Sequence, residues 1–517
     1  MSAHKATKEP SLFLALLPII CLVALLVLNV AFYGDMATSG ANQIALILAA
    51  AIAAIVGISL KFSFKQLLQG AVNSISASMG AILILLLIGA LAGTWLISGI
   101  VPAMIYYGLQ VLNPTIFLFA TVIVCCVVSL ATGSSWSTVA TVGIALLGIG
   151  KALNIHEGII AGAIISGAYF GDKISPMSDT TNLAPAMAGT DLFTHIRYMM
   201  YTTIPSIVLA AIIFLVIGLS ADNIPSAEGT NALSDAISRK FNINPFLFIV
   251  PAIVIWMIVK KVNAIPALLI GALLGGIFAF IFQPHILDEV FRSYAADNNW
   301  KESKINGTGV IQRGFMAVMN AMSGSVQVTT DNEIATDLLK SRGMAGMLNT
   351  IWLIVAALSF GGIMEEAGLL RRITAPLVRK AKSTGSLVAT TAASCAFINV
   401  TASDQYLSIV VPGKMYASTY RDRLLAPQNL SRTLEDSGTV TSVLVPWNTC
   451  GATQTAVLGV STFAYAPFCF FNIISPFMTI FFAYMGIKIA RLTRAEANNV
   501  HPAPISDQPE DKPVDIP

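Results

Sequence analysis

Charge is what this chain has least of. Only 11% of its 517 residues are Asp, Glu, Lys or Arg, while 55% are hydrophobic and the mean hydropathy is +0.75. A soluble globular protein carries roughly 25% charged residues, so a water-soluble fold is excluded. The formal net charge is +3 and is spread among loops, which leaves no basic face for nucleic acid. Histidine and cysteine are nearly as scarce. The histidines, His4, His156, His195, His285 and His501, lie in tails and loops without paired spacing, and the six cysteines sit in apolar segments without a CxxC. Such spacing argues against a structural or catalytic zinc. The cysteines read as packed free thiols.

What fills the sequence instead is hydrocarbon. Apolar runs long enough to cross a bilayer as helix recur at 11–33, 42–60, 78–98, 115–131, 198–219, 245–260, 264–283, 343–364 and 466–490. An all-α polytopic membrane protein with about 11 to 13 crossings is expected. The first run follows a short basic head (His4, Lys5, Lys8) and shows no small-residue cleavage site before Tyr33, so it reads as a retained helix. Polar interruptions fall at 220–244, at 284–342 and from Arg491 onward. They divide the chain into N-terminal transmembrane helices (1–77), a first transport segment (78–219), a connection (220–342), a second transport segment (343–490) and a proline-rich tail (491–517) expected to be disordered.

The two transport segments resemble each other. At a spacing of 269 residues Gly93 pairs with Gly362, Gly99 with Gly368, Thr115 with Thr384, Thr121 with Thr390, Cys126 with Cys395 and Ser134 with Ser403. Charge adds a second test. The stretch from Ser98 to Pro114 has no charged residue, whereas its counterpart from Ala367 to Ser383 carries Arg371, Arg372, Arg379, Lys380 and Lys382. The positive-inside rule puts the second loop in the cytoplasm and the first outside. Equivalent loops on opposite sides define an inverted-topology repeat. Lys61 with Lys65, Lys260 with Lys261, and Lys488 with Arg491 and Arg494 fit cytoplasmic ends, and both termini are expected inside.

One polar stretch stands out. GDKISPMSDTTNLAP, residues 171–185, packs Asp172, Ser175, Ser178, Asp179, Thr180, Thr181 and Asn182 between two prolines behind an apolar run. A charge near mid-bilayer costs about 2.5–3.5 kcal/mol, so these acids need either a function or a solvated loop. Pro176 and Pro185 disfavour a continuous helix, and broken helices are tolerated at membrane depth where they line a cavity or are buried. Carboxylate, hydroxyl and carbonyl oxygens suit a hard cation, and a carboxylate can hold either that cation or a proton. Lys173 reads as a snorkelling side chain or an ion-pair partner of Asp172. In the second segment NVTASDQ (399–405) contributes Asp404, and RTLEDSGTVTSVLVPWNTCGAT (432–453) contributes Glu435 and Asp436. Those acids read either as site contributors or as acids at helix starts.

These stretches, together with ATGSSWST (131–138), closely resemble the NhaC family of bacterial sodium/proton antiporters, over roughly residues 70–490. The resemblance implies two inverted repeats with broken helices and exchange of Na+ for H+ across the bacterial inner membrane, without catalysis and without a cofactor. Carried over by position, the ion site would comprise Asp172, Ser175, Asp179, Thr180, Thr181 and Asn182, with Asp404, Glu435 and Asp436 from the second segment and Na+ at Asp179 and Asp172. The partners implied are the lipid bilayer, Na+ and H+; oligomeric state stays open, a homo-oligomer included. One group of the family exchanges malate and sodium for lactate and protons, so an organic anion exchanger is the alternative. An intramembrane aspartyl protease is a poor fit, because Tyr169 of Tyr169-Phe170-Gly171-Asp172 stands where its GxGD motif needs the first glycine and no Tyr-Asp pair occurs. A pure channel lacks any filter repeated around a pore.

Overall fold

The computed structural model describes residues 10–33, 37, 40–111, 114–220, 227–260 and 262–494. The basic head and nearly all of the polar tail lie outside them. Among the described residues the structure is helical apart from one antiparallel pair of two-residue strands, Val326–Gln327 with Lys340–Ser341. Seven helices are long and apolar enough to cross a membrane: Leu12–Tyr33, Ala41–Ser59, Met79–Ile97, Pro114–Thr132, Leu192–Leu219, Ala264–Phe282 and Ala345–Glu366. Two bent pairs, Asn231–Lys240 with Pro245–Val259 (88°) and Thr462–Phe468 with Phe470–Tyr484 (52°), raise the count to nine. The chain is an all-α polytopic membrane protein.

Each of the nine falls on an apolar run read from the sequence. The expected 11 to 13 crossings exceed them because the other long helices are too polar to pass as unaided spans. Helix Glu157–Ile174 carries Glu157, Asp172 and Lys173, and helix Gln405–Asp422 carries Lys414, Arg421 and Asp422. Helix Glu157–Ile174 is buried along almost its whole length against Phe117–Thr132. Asp172 and Lys173 therefore face protein, which is where membrane-depth charge is tolerated.

Elements of the two segments follow one another in register. Met79–Ile97 and Leu348–Glu366 stand 269 residues apart, as do the left-handed glycines that follow them, Gly99 (φ 82°) and Gly368 (φ 67°), and the helices Ile100–Val111 and Leu369–Lys380. Past the next helix the spacing becomes 270. Helix Phe117–Thr132 turns at once through left-handed Gly133 (φ 68°), whereas Thr384–Thr401 is followed by Ala402 and then left-handed Ser403 (φ 60°). The wider spacing then holds for the helix caps Ser134 and Asp404, for Pro176 and Pro446, for the caps Ser178 and Asn448, and for the left-handed terminators Gly189 and Gly459.

The polar part of the connection, residues 284–342, holds helices Pro284–Asp297, Glu302–Gly307 and Val310–Ser323. Ion pairs Lys240–Glu289 (2.7 Å) and Arg239–Asp331 (3.5 Å) tie it to helix Ala227–Lys240. It also packs on the first segment. A Cβ placed on Gly93 would sit 1.8 Å from the carbonyl oxygen of Ala321, so only glycine permits that contact.

Candidate functional site

The break in the first segment begins where Ser175, extended before Pro176, ends helix Glu157–Ile174. Ser178, again extended, precedes helix Asp179–Ala188. Proline disfavours helical backbone in the residue before it and offers no N–H of its own. The carbonyls released are not left bare. Thr181 Oγ1 donates to the carbonyls of Asp172 (3.0 Å) and Lys173 (2.8 Å), and Asn182 Nδ2 donates to those of Pro176 (3.0 Å) and Ser178 (2.7 Å). Ser175 Oγ accepts from Met177 N (3.3 Å). Ser175, Thr181 and Asn182 thus fix the shape of the break, and none of the three lines the cavity beside it.

That cavity, about 570 Å3, gathers Asp172, Asp179 and Thr180 from this break, Ser78 from the start of helix Met79–Ile97, Ser134 and Ser137 from ATGSSWST, and Asp404, Gln405, Tyr406 and Thr449 from the second segment. Ile258, Val262, Asn263 and Ile265 form a further wall. Asp172 is 9% exposed and accepts from Ser135 Oγ at 2.6 Å. Asp404 caps helix Gln405–Asp422, taking Leu407 N on Oδ1 (2.9 Å) and the Ser78 hydroxyl on Oδ2 (3.4 Å). It is therefore both a helix start and part of the cavity wall. Asp179, at the first position of its helix, is exposed.

Four helical runs begin at this cavity, at Ser135, Asp179, Gln405 and Thr449. Helix N-termini carry partial positive charge, so the three acids face a ring of positive backbone ends.

Glu435 and Asp436 stand behind the cavity, fully buried. The helix-start reading fails for both: they follow helix Pro427–Leu434 in a π-helical turn, Glu435–Thr439. Such a turn inserts one extra residue into a helix. Thr180 Oγ1, on the cavity wall, donates to Glu435 Oε1 at 3.0 Å, and Glu435 Oε2 has no donor. Asp436 forms an ion pair with Lys173 and accepts from Thr202 Oγ1 (2.8 Å) and Ser475 Oγ (3.4 Å). The sequence-based pairing of Lys173 with Asp172 is therefore corrected. The two residues are neighbours in the same helix, and the lysine reaches the other half of the chain.

Among the described residues no group of three or more His, Cys, Asp or Glu side chains is placed to hold a metal ion. The cavity instead offers separated carboxylates with hydroxyls between them, a set suited to a hard cation that must bind and leave. Sequence reading missed Ser78, Ser135, Tyr406 and Thr449. Ser135 and Thr449 lie inside stretches already singled out, but Ser78 carries no local signal.

A multi-pass helical body whose interrupted helices deliver acids and hydroxyls to one cavity is a membrane transporter. Comparison with known proteins agrees. The model of the Na+/H+ antiporter family matches residues 167–296 and 304–487. The Na+/H+ antiporter NhaC of Alkalihalophilus pseudofirmus is 37% identical, covering 87% of this chain and 91% of that one. The malate-2H+/Na+-lactate antiporter of Bacillus subtilis is also 37% identical (86% and 89%), and the arginine/ornithine antiporter ArcD of Halobacterium salinarum is 31% identical (93% and 93%). The chain belongs to the Na+/H+ antiporter family, among the NhaC antiporters.

Proposed function

We propose that this protein is a secondary active antiporter that exchanges Na+ for H+ across the bacterial inner membrane, with both termini in the cytoplasm. The observation that carries the reading is the convergence of Asp172, Asp179 and Asp404 on one cavity built from both halves of the chain. Sodium binds Asp172 and Asp179 with the hydroxyl of Thr180 and the second-half carboxylate of Asp404 close by, and displaces a proton. Ser135 holds Asp172 in place. Glu435 stands one hydroxyl behind, through Thr180. Ions are the cargo, no cofactor takes part, and the protein is a transporter and not an enzyme. Moving one unit charge through 100 mV is worth about 2.3 kcal/mol, so any unequal exchange of the two ions responds to voltage.

The cytoplasmic assignment is supported by the basic clusters at Lys61 and Lys65 and at Lys488, Arg491 and Arg494. Lys260 borders the cavity wall at Ile258–Val262, which favours a cavity open to the cytoplasm. A second reading, an exchanger of small organic anions, is favoured by the four helix N-termini at the cavity, since such ends receive carboxylates. Inverted vesicles energised to an acid interior test both readings. Na+ addition alone should release protons, and labelled malate or lactate should not be taken up; Na+-linked exchange of malate for lactate, with no proton release on Na+ alone, would favour the second.

A further inference from the structure

The Lys173–Asp436 ion pair is the most deeply set charge pair among the described residues, with both side chains at 0% exposure. It gathers four elements. Lys173 ends helix Glu157–Ile174, Asp436 lies in the turn Glu435–Thr439, Thr202 comes from helix Leu192–Leu219, and Ser475 from helix Phe470–Tyr484. Lys173 Nζ also donates to Ser475 Oγ at 2.7 Å and lies 5.3 Å from the centre of the Phe471 ring. Both Asp436 oxygens are thus engaged, Oδ1 by Lys173 and Ser475 and Oδ2 by Thr202. Neither partner lines the cavity. Their chain neighbours do the opposite: Asp172 lines it, and Glu435 reaches its wall through Thr180.

We propose that Lys173 and Asp436 are positioning residues, which lock the first-half break against the second-half turn and so aim Asp172 and Thr180 into the cavity, and that Asp436 touches neither Na+ nor H+ during exchange. The proposal rests on the Na+/H+ reading above and removes Asp436 from the ion site. A buried ion pair with its hydrogen bonds complete resists exchange of partners, and removing one member strands the other charge. A pair of this kind serves in either polarity or as an apolar couple of similar volume. A cargo ligand does not.

Inverted vesicles and purified full-length protein test the assignment with K173M, D436N, the charge swap K173D/D436K and the neutral pair K173M/D436L, beside the wild-type chain. Wild-type exchange in the same preparation tests the Na+/H+ reading separately. Each single variant should lose at least tenfold in maximal rate and melt at lower temperature. At least one double variant should recover a third or more of the rate, with the Na+ KM within threefold of wild type and the same pH profile. The proposal is overturned if no folded double variant exchanges, or if those that exchange do so only with a shifted KM or pH profile. Should neither double variant accumulate, D436N decides: loss of exchange with an unchanged melting temperature assigns Asp436 to the cargo, whereas a lowered melting temperature with the wild-type Na+ KM upholds positioning.

Discussion

Thr180 and Glu435 are joined by a 3.0 Å hydrogen bond from the threonine hydroxyl to Oε1. Through it the start of one broken helix touches a buried acid of the other half of the chain. Replacing Thr180 by valine keeps the shape and removes this hydrogen bond. A side-chain hydrogen bond is worth about 0.5–1.5 kcal/mol, so a roughly 3- to 10-fold fall in Na+-driven proton flux is expected, with protein level unchanged. Flux within twofold of wild type would remove this contact from the exchange path.

Asp172 is the cavity acid with the shortest side-chain bond, at 2.6 Å to Ser135. Asp172→Asn should abolish Na+-dependent proton movement in vesicles while expression persists. Ser135→Ala should keep exchange and raise the Na+ KM by roughly 10-fold, the lower end for a charge-assisted bond. Retained wild-type exchange in Asp172→Asn would separate this residue from ion binding.

Asp179 occupies the more accessible flank of the same cavity. Asp179→Asn is expected to eliminate the sodium response as well, and full retained activity would take it out of the site. In the wild-type protein, cation and proton compete for these carboxylates because only the deprotonated form coordinates. The Na+ KM should therefore rise as pH falls, by up to about tenfold per unit where one proton is displaced. A KM independent of pH, measured as Na+ titrations of the same vesicles at several pH values, would show that the two ions do not share a vacancy.

Gly133 tests the turn that ends helix Phe117–Thr132. Its φ of 68° lies in the left-handed region, and a Cβ there would come within 2.6 Å of Met177 Cβ and 2.9 Å of Met177 C in the break. Left-handed backbone costs an alanine about 1–2 kcal/mol before any clash. Gly133→Ala should lower the melting temperature of the purified protein and reduce exchange; an unchanged melting temperature would mean that the turn and the break part readily.

Much of this was legible in the residues. The apolar runs located the nine spanning units, because hydrocarbon length alone decides what can cross a bilayer. Pro176 and the hydroxyls around it marked the broken helix, since proline acts locally. The 269-residue spacing was legible up to the turn after helix Phe117–Thr132, where the added residue before Ser403 shifts the register by one and hides the match of Pro176 with Pro446. Long-range pairing was not legible. Nothing near Lys173 names Asp436, 263 residues away, and nothing near Ser78 names Asp404, 326 residues away. Thr181 and Asn182 looked like ligands because sequence shows that an oxygen is present but not where it points; both bond back to the break they sit on.

The ring of helix starts around the three aspartates bears on what happens between loads. Acids that share one chamber push one another apart whenever no cation is present. The helix starts that border it supply a standing, immobile counter-charge. A vacated chamber can thereby keep its form, ready for the next passenger, without drawing in a stray ion merely to stay assembled.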